Sequence, residues 1–151
     1  MSRTKLPDES FDVLLVEDSS QDLELTTYAL ASHSDLKFLP LRDGVEALRY
    51  IFAKRTGLER KVQQAIKLIL LDLKLPKVDG LEILRKIRAD ETTRNIPVVM
   101  FSSSAQRVDV AEAYSLGVNS YVVKPVEFEK YVQAVSAISS YWSSVNQNVI
   151  A

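Results

Sequence analysis

Residues 66–80 read IKLILLDLKLPKVDG, and this stretch decides the fold. Residues 66–71 are apolar apart from Lys67, the pattern of a strand buried on both faces. The run ends at a single carboxylate, Asp72, and turn chemistry follows at Pro76 and Asp79-Gly80. Packing alone does not explain a charge at the end of so deep a strand. In an open sheet, the carboxyl edge of the strands is where ligands bind. Asp72 is therefore the candidate nucleophile.

Working outward, residues 11–16 (FDVLLV) form a second buried strand that runs into Glu17-Asp18. Ser19 or Ser20 can cap a helix carrying Leu23, Leu25, Tyr28 and Leu30. Residues 36–41 are a further strand, punctuated by Asp43-Gly44, and Val45, Leu48, Ile51 and Phe52 give the next helix a 3.6-residue stripe. Residues 54–64 are charged and read as a loop. Beyond Asp72, a third helix starts near Gly80 with Leu81, Ile83, Leu84 and Ile87 inward. Pro97 opens a strand at 98–101 that ends in Ser102-Ser103-Ser104, one of which is expected to cap the helix that follows. That helix stops at Gly117. Residues 120–123 are the last strand, ending at Lys124-Pro125. The final helix starts near Val126 and carries Phe128, Tyr131, Val132, Val135, Ile138 and Trp142.

Five strand–helix alternations predict an α/β fold: a five-stranded, doubly wound parallel sheet of order 2-1-3-4-5 with five helices, joined by right-handed crossovers. The expected organisation is a flexible N-terminus at 1–10, one domain at 11–145 and a C-terminal tail at 146–151, with no output domain after the last helix. The bulk numbers agree with a globular class and narrow the chemistry. At 151 residues, one domain can bury roughly two thirds of its unfolded surface. A net charge of −1 excludes strong steering to nucleic acid or anionic lipid. The absence of cysteine excludes thiolate catalysis and disulfides, and the single histidine, His33, cannot build a His-rich metal site. No apolar run reaches the ~18 residues that span a bilayer, so a cytoplasmic protein is expected.

In the order 2-1-3-4-5, Glu17-Asp18, Asp72, Ser102 and Lys124 converge at the switch point of the sheet. Three carboxylates gathered at one site repel one another unless a cation sits among them. With oxygen ligands only, that cation is expected to be Mg2+, which keeps several waters and takes carboxylates plus phosphate oxygens. Lys124 can hold a phosphoryl oxygen and the Ser102 hydroxyl another. Such a set suits phosphoryl transfer, with Asp72 becoming an aspartyl phosphate.

LLVEDS at 14–19, LILLDLKLPKVDG at 68–80, PVVMFSS at 97–103 and YVVKP at 121–125 together resemble the receiver domain of two-component response regulators, a flavodoxin-like fold. The resemblance covers about residues 11–145, and the strand order used above is also that family's, so it is not independent support. The resemblance implies that Asp72 is the phosphoacceptor and that Glu17 and Asp18 hold Mg2+, with Asp72 and the backbone carbonyl of Lys74 as further ligands. It implies that Ser102 is the switch hydroxyl, Tyr121 the switch aromatic, and Lys124 the phosphate-binding lysine, with a cis bond to Pro125. It also implies a sensor histidine kinase as donor, after which Ser102 moves towards the phosphate and Tyr121 turns inward. The face built by the fourth helix, fifth strand and fifth helix then changes shape, controlling partner binding or dimerisation. Lys74 and Ser104, two places beyond Asp72 and Ser102, would set the phosphate lifetime. The charged segment at 54–64 and the Tyr-Trp near the C-terminus resemble single-domain receivers paired with bacterial phytochrome kinases.

Taken singly, these signals are weak. Asp72 alone reads as a turn former, Glu17-Asp18 as a solvated loop start, Tyr121 as an edge aromatic, and Arg85, Lys86 and Arg88 as a solvated helix face. Their joint occurrence carries the reading. The stripe from Phe128 to Val145 is longer than a helix needs to cover the sheet, so a homodimer through the C-terminal helix, including Trp142, is expected. Two other functions compete. A phosphatase of haloacid-dehalogenase type would need a carboxylate where Lys74 stands. A phosphorylation-independent interaction module would not need every charged site residue.

Overall fold

The computed structural model describes residues 10–33, 35–53 and 66–149; the expectations for residues 1–9, for the loop at 54–64 and for the end of the tail lie outside them. Five parallel strands form one sheet of order β2-β1-β3-β4-β5: β1 Val13–Val16, β2 Phe38–Leu41, β3 Leu68–Leu71, β4 Val98–Ser102 and β5 Ser120–Val123. Between and after them run α1 Ser20–His33, α2 Gly44–Ile51, α3 Gly80–Ala89, α4 Arg107–Ser115 and α5 Phe128–Ser140.

Every residue of β1, β3 and β4 is buried, as their continuous apolar runs demand of strands covered on both faces. The edge strands differ. Pro40, which has no N–H to donate, sits in the edge strand β2 beside Leu15. One apolar layer, with Leu14, Ile69, Ile83, Ile87 and Met100, packs under α2, α3 and α4. The other, with Leu15, Leu30, Leu70, Phe101 and Val135, packs under α1 and α5.

Two expected stripes are rotated. In α1 the inward positions are Leu23, Thr26, Ala29 and Leu30, while Tyr28 is 55% exposed and its ring meets that of Phe128 at 5.8 Å. In α2 they are Ala47, Tyr50 and Ile51, with Val45 exposed. Threonine reads as polar, yet Thr26 is buried and its hydroxyl pairs with that of Tyr131 across the α1–α5 contact at 2.8 Å.

The capping expectations divide. Ser19 accepts from the N–H of Asp22 at 3.3 Å and so caps α1. None of Ser102, Ser103 and Ser104 caps α4, which begins after Gln106 without a side-chain cap bond. Instead Ser104 accepts from the Gln106 N–H at 3.3 Å and donates to the Asp109 carboxylate. Gly117 does end α4, at φ 94°, a backbone angle that penalises any side chain. α5 continues into a π-helical turn, Tyr141–Val145, closed by the Asn146 N–H on the Tyr141 carbonyl at 2.7 Å. Serine hydroxyls at 136, 139 and 143 bond carbonyls one turn back along this stretch, competition known to bend helices.

Two further expectations are corrected. No cis peptide bond occurs among the described residues, so Lys124–Pro125 is trans, the form that prolyl bonds favour by about 0.5–1 kcal/mol. Arg88 is not on a solvated face. Its guanidinium donates to the carbonyls of Gly117, Arg94 and Ile96 and to the Asn119 side chain at 2.8–3.0 Å. Burial lowers its pKa from the usual arginine value.

Candidate functional site

Strand register places the site. Val16 pairs with Leu71, so the residues that follow, Glu17 and Asp72, emerge side by side; the Asp72 N–H bonds the Val16 carbonyl at 3.0 Å. Ser102 pairs with Val123, and the next N–H, of Lys124, bonds the Ser102 carbonyl at 2.8 Å. All four lie at the carboxyl edge of the sheet. They line one cleft of about 500 Å3 together with Asp18, Asp22, Lys74 and Ser104.

The loop beyond Asp72 is tightly wound. Lys77 has φ 67° and the Val78 N–H bonds the Pro76 carbonyl at 2.8 Å, a γ-turn of a rare and strained kind. The first turn of α3 then closes on Asp72: a Cβ at Gly80 would stand 2.2 Å from the Asp72 carbonyl oxygen. Glycine is thus required here by close approach rather than by turn angle.

At the centre is the ammonium of Lys124. It donates to Glu17 Oε2 at 2.6 Å, Asp22 Oδ2 at 2.8 Å and Asp72 Oδ2 at 3.2 Å. Asp72 Oδ1 accepts from the Leu73 N–H at 2.7 Å, and Glu17 Oε1 from the Ser19 N–H at 3.0 Å. Burial pushes the Glu17 carboxyl up to about 7; the bond from Lys124 opposes this and the charge of Asp72 adds to it. Burial works to lower the Lys124 pKa, but its bonds to Asp22 and Glu17 and the charge of Asp72 outweigh that and raise it above the usual lysine range.

Carboxylate oxygens of Glu17, Asp18 and Asp72 come within 4.8 Å of one another. Three hard oxygen donors, one of them a buried carboxylate that resists ionisation, match the chemistry of a hard divalent cation. Lys74 lines the same cleft.

On the far side of the cleft, the N–H of Ser104 donates to Ser102 Oγ at 3.1 Å. Tyr121 packs against the core and its hydroxyl donates to the Ser104 carbonyl at 2.8 Å. Its ring is therefore already turned inward, where sequence reasoning expected inward rotation to follow phosphorylation. A partner for the hydroxyl exists in the loop itself.

Asp22 is the site residue that sequence reasoning missed. An acidic residue in the first turn of a helix ordinarily complements the helix dipole, and nothing local distinguishes it. The only signal was its place one helical turn beyond the acidic pair.

Residues 13–136 match the response regulator receiver domain family. The chain belongs to that family. It is 38% identical over 144 residues to the probable methanogenesis regulatory protein FilR2 of Methanothrix harundinacea, covering 93% of this chain and 89% of that one. It is 37% identical over 131 residues to response regulator Rcp1 of Synechocystis sp., covering 86% and 87%. The Mn2+-bound structure of Rcp1 superposes with a TM-score of 0.80 at 34% identity, over 91% of this chain and 98% of that one. The phosphorylated cyanobacterial phytochrome response regulator RcpA matches at a TM-score of 0.80 and 35% identity, covering 93% and 99%. Receiver domains accept phosphoryl groups from histidine kinases and bind a divalent metal. Among the described residues no helix is long and apolar enough to cross a membrane.

Proposed function

We propose that this receiver takes a phosphoryl group onto Asp72 from a sensor histidine kinase in the cytoplasm, and that the modification switches the α4–β5–α5 face. The observation that carries the reading is the Lys124 ammonium, 3.2 Å from Asp72 and shared with Glu17, at an edge where Asp18 and Ser102 also stand.

Glu17, Asp18 and Asp72, with the Lys74 carbonyl, would hold Mg2+, which supplies charge neutralisation for the incoming phosphoryl oxygens. An oxygen of Asp72 forms the new bond to phosphorus as the donor's bond to phosphorus breaks and its leaving group departs with the electron pair. Lys124 holds one phosphoryl oxygen and the Ser102 hydroxyl moves to donate to another. Lys74 and Ser104 border the path of attacking water and govern how long the phosphate survives. Tyr121, through Ser104, links the cleft to α4, so its ring is the element that reports the state of Ser102. The receiver unit spans 11–145 and acts as a phosphoacceptor rather than on an external substrate.

Two finer assignments are part of the proposal. The kinase is a phytochrome, supported by the likeness to RcpA; phosphotransfer from a phytochrome kinase, faster than from unrelated histidine kinases, tests it. The exposed residues Phe128, Tyr141 and Val145, with Trp142, belong to a symmetric homodimer. A monomer by light scattering at tens of micromolar, phosphorylated and not, removes that part.

The central test is to incubate the protein with Mg2+ and a small phosphodonor and weigh it intact. A gain of one phosphoryl group, absent in Asp72→Asn, is expected. No gain, or rapid turnover of phosphate esters, overturns the reading.

A further inference from the structure

An ammonium group has three N–H donors, and in Lys124 each faces a carboxylate: Glu17 at 2.6 Å, Asp22 at 2.8 Å and Asp72 at 3.2 Å. A phosphoryl oxygen arriving at Asp72 can be held by this lysine only if one of the three acceptors gives way. The three are not equivalent. Glu17 is buried to 3% side-chain exposure, where water cannot take the place of the ammonium. Asp72 is the reacting group itself and the farthest acceptor, at 3.2 Å, so the ammonium has to shift towards it rather than away from it.

Asp22 keeps 30% of its side chain open, so water can replace the lysine there at small cost. Among the described residues it also stands outside the trio of carboxylates that closes on a common point, so a bound cation would not occupy its oxygens. Its backbone is pinned on both sides of the Cα. The N–H goes to Ser19 Oγ and the carbonyl takes the Tyr131 hydroxyl, each at 3.3 Å. The carboxylate is thus carried on a fixed mount, and the ammonium lies closer to it than to Asp72.

We propose that Asp22 is a positioning residue that holds the Lys124 ammonium by a shorter bond than Asp72 does and competes with the incoming phosphoryl group for it. It acts through Lys124 and does not touch the reacting atoms. The bond to Asp22 loosens as the lysine takes up the phosphoryl oxygen, and that exchange is part of the barrier. The proposal rests on the reading of Asp72 as phosphoacceptor.

The test measures phosphorylation by acetyl phosphate with saturating Mg2+ in wild type, Asp22→Asn, Lys124→Ala and the double variant. In the step, the carboxylate oxygen of Asp72 bonds to phosphorus, the P–O bond to the acetyl group breaks, and acetate leaves with the electron pair. Asp22→Asn, which keeps the side-chain shape and removes the charge, should react roughly fivefold faster than wild type. In the Lys124→Ala background the same change should have no effect. A slower or unchanged Asp22→Asn overturns the proposal. An equal acceleration with and without the lysine also overturns it, because the charge of Asp22 would then act on the donor directly. Wild type and Asp72→Asn run alongside: if wild type gains no phosphoryl group, the phosphoacceptor reading falls together with this one; if it does, a failure at Asp22 falls alone.

Discussion

Glu17 is where burial and charge conflict most sharply. Its carboxyl is pushed from 4.5 to about 7 chiefly by burial, with the Lys124 bond opposing and the Asp72 charge adding. A folded-state pKa above the unfolded value means that the folded protein binds the proton more tightly. The resulting stabilisation is complete below about pH 4.5 and is lost as pH rises through 7. A cation at the site requires the ionised form, so its affinity runs the other way, rising by up to about tenfold per pH unit until Glu17 is ionised. Melting curves with and without MgCl2 between pH 5 and 8 should show a Mg2+-dependent gain in Tm that grows with pH and levels off above about 7. A gain independent of pH would mean that Glu17 does not hold the ion. Glu17→Gln should flatten the profile.

At the scale of elements, α1 and α5 are joined by more than apolar contact. Thr26 and Tyr131 are both buried, their hydroxyls pair at 2.8 Å, and the Tyr131 ring meets Phe101 edge-on with centroids 5.2 Å apart. Burial raises the tyrosine pKa to about 12, with the Thr26 bond opposing. Tyr131→Phe keeps the ring and strands the Thr26 hydroxyl, at an expected cost of about 1–2 kcal/mol in urea denaturation. Thr26→Val with Tyr131→Phe should cost less than the two single changes added, because neither partner is then left unpaired. Additive losses would place the hydroxyls on water instead. The pair matters to the site because Tyr131 also reaches the Asp22 carbonyl.

Across the whole molecule, Arg88 ties segments distant in sequence. One guanidinium on α3 joins the loop before β4 to the loop before β5 through Ile96, Gly117 and Asn119, and Asn119 passes the link to the Val98 N–H at 2.7 Å. This pins the amino ends of β4 and β5, at the opposite edge from the cleft. Arg88→Met, with a comparable stem, should destabilise the protein by roughly 2–4 kcal/mol. It should leave the rate of Asp72 phosphorylation by a small donor nearly unchanged. A large fall in that rate with an unchanged unfolding midpoint would contradict this division between scaffold and site.

The amino-acid sequence determined the strands, because burial on both faces leaves a local record: apolar runs of the right length at 13–16, 68–71 and 98–101, each stopping at a polar residue; their order came with the resemblance to receiver domains. From that order it also determined that Glu17, Asp18, Asp72, Ser102 and Lys124 share one edge, since parallel strands in register must end together. Only the tertiary structure decided which charges meet. Asp22 and Lys124 are 102 residues apart in the chain, and their contact depends on how α1 lies on the sheet. That placement is fixed by Leu23 and Leu30 in the apolar layer shared with α5 and by the Thr26 hydroxyl on Tyr131. Arg88 was hidden for the same reason. A charged residue carries no sequence mark of the carbonyls it will satisfy, because those are presented by loops whose positions exist only once the core has closed.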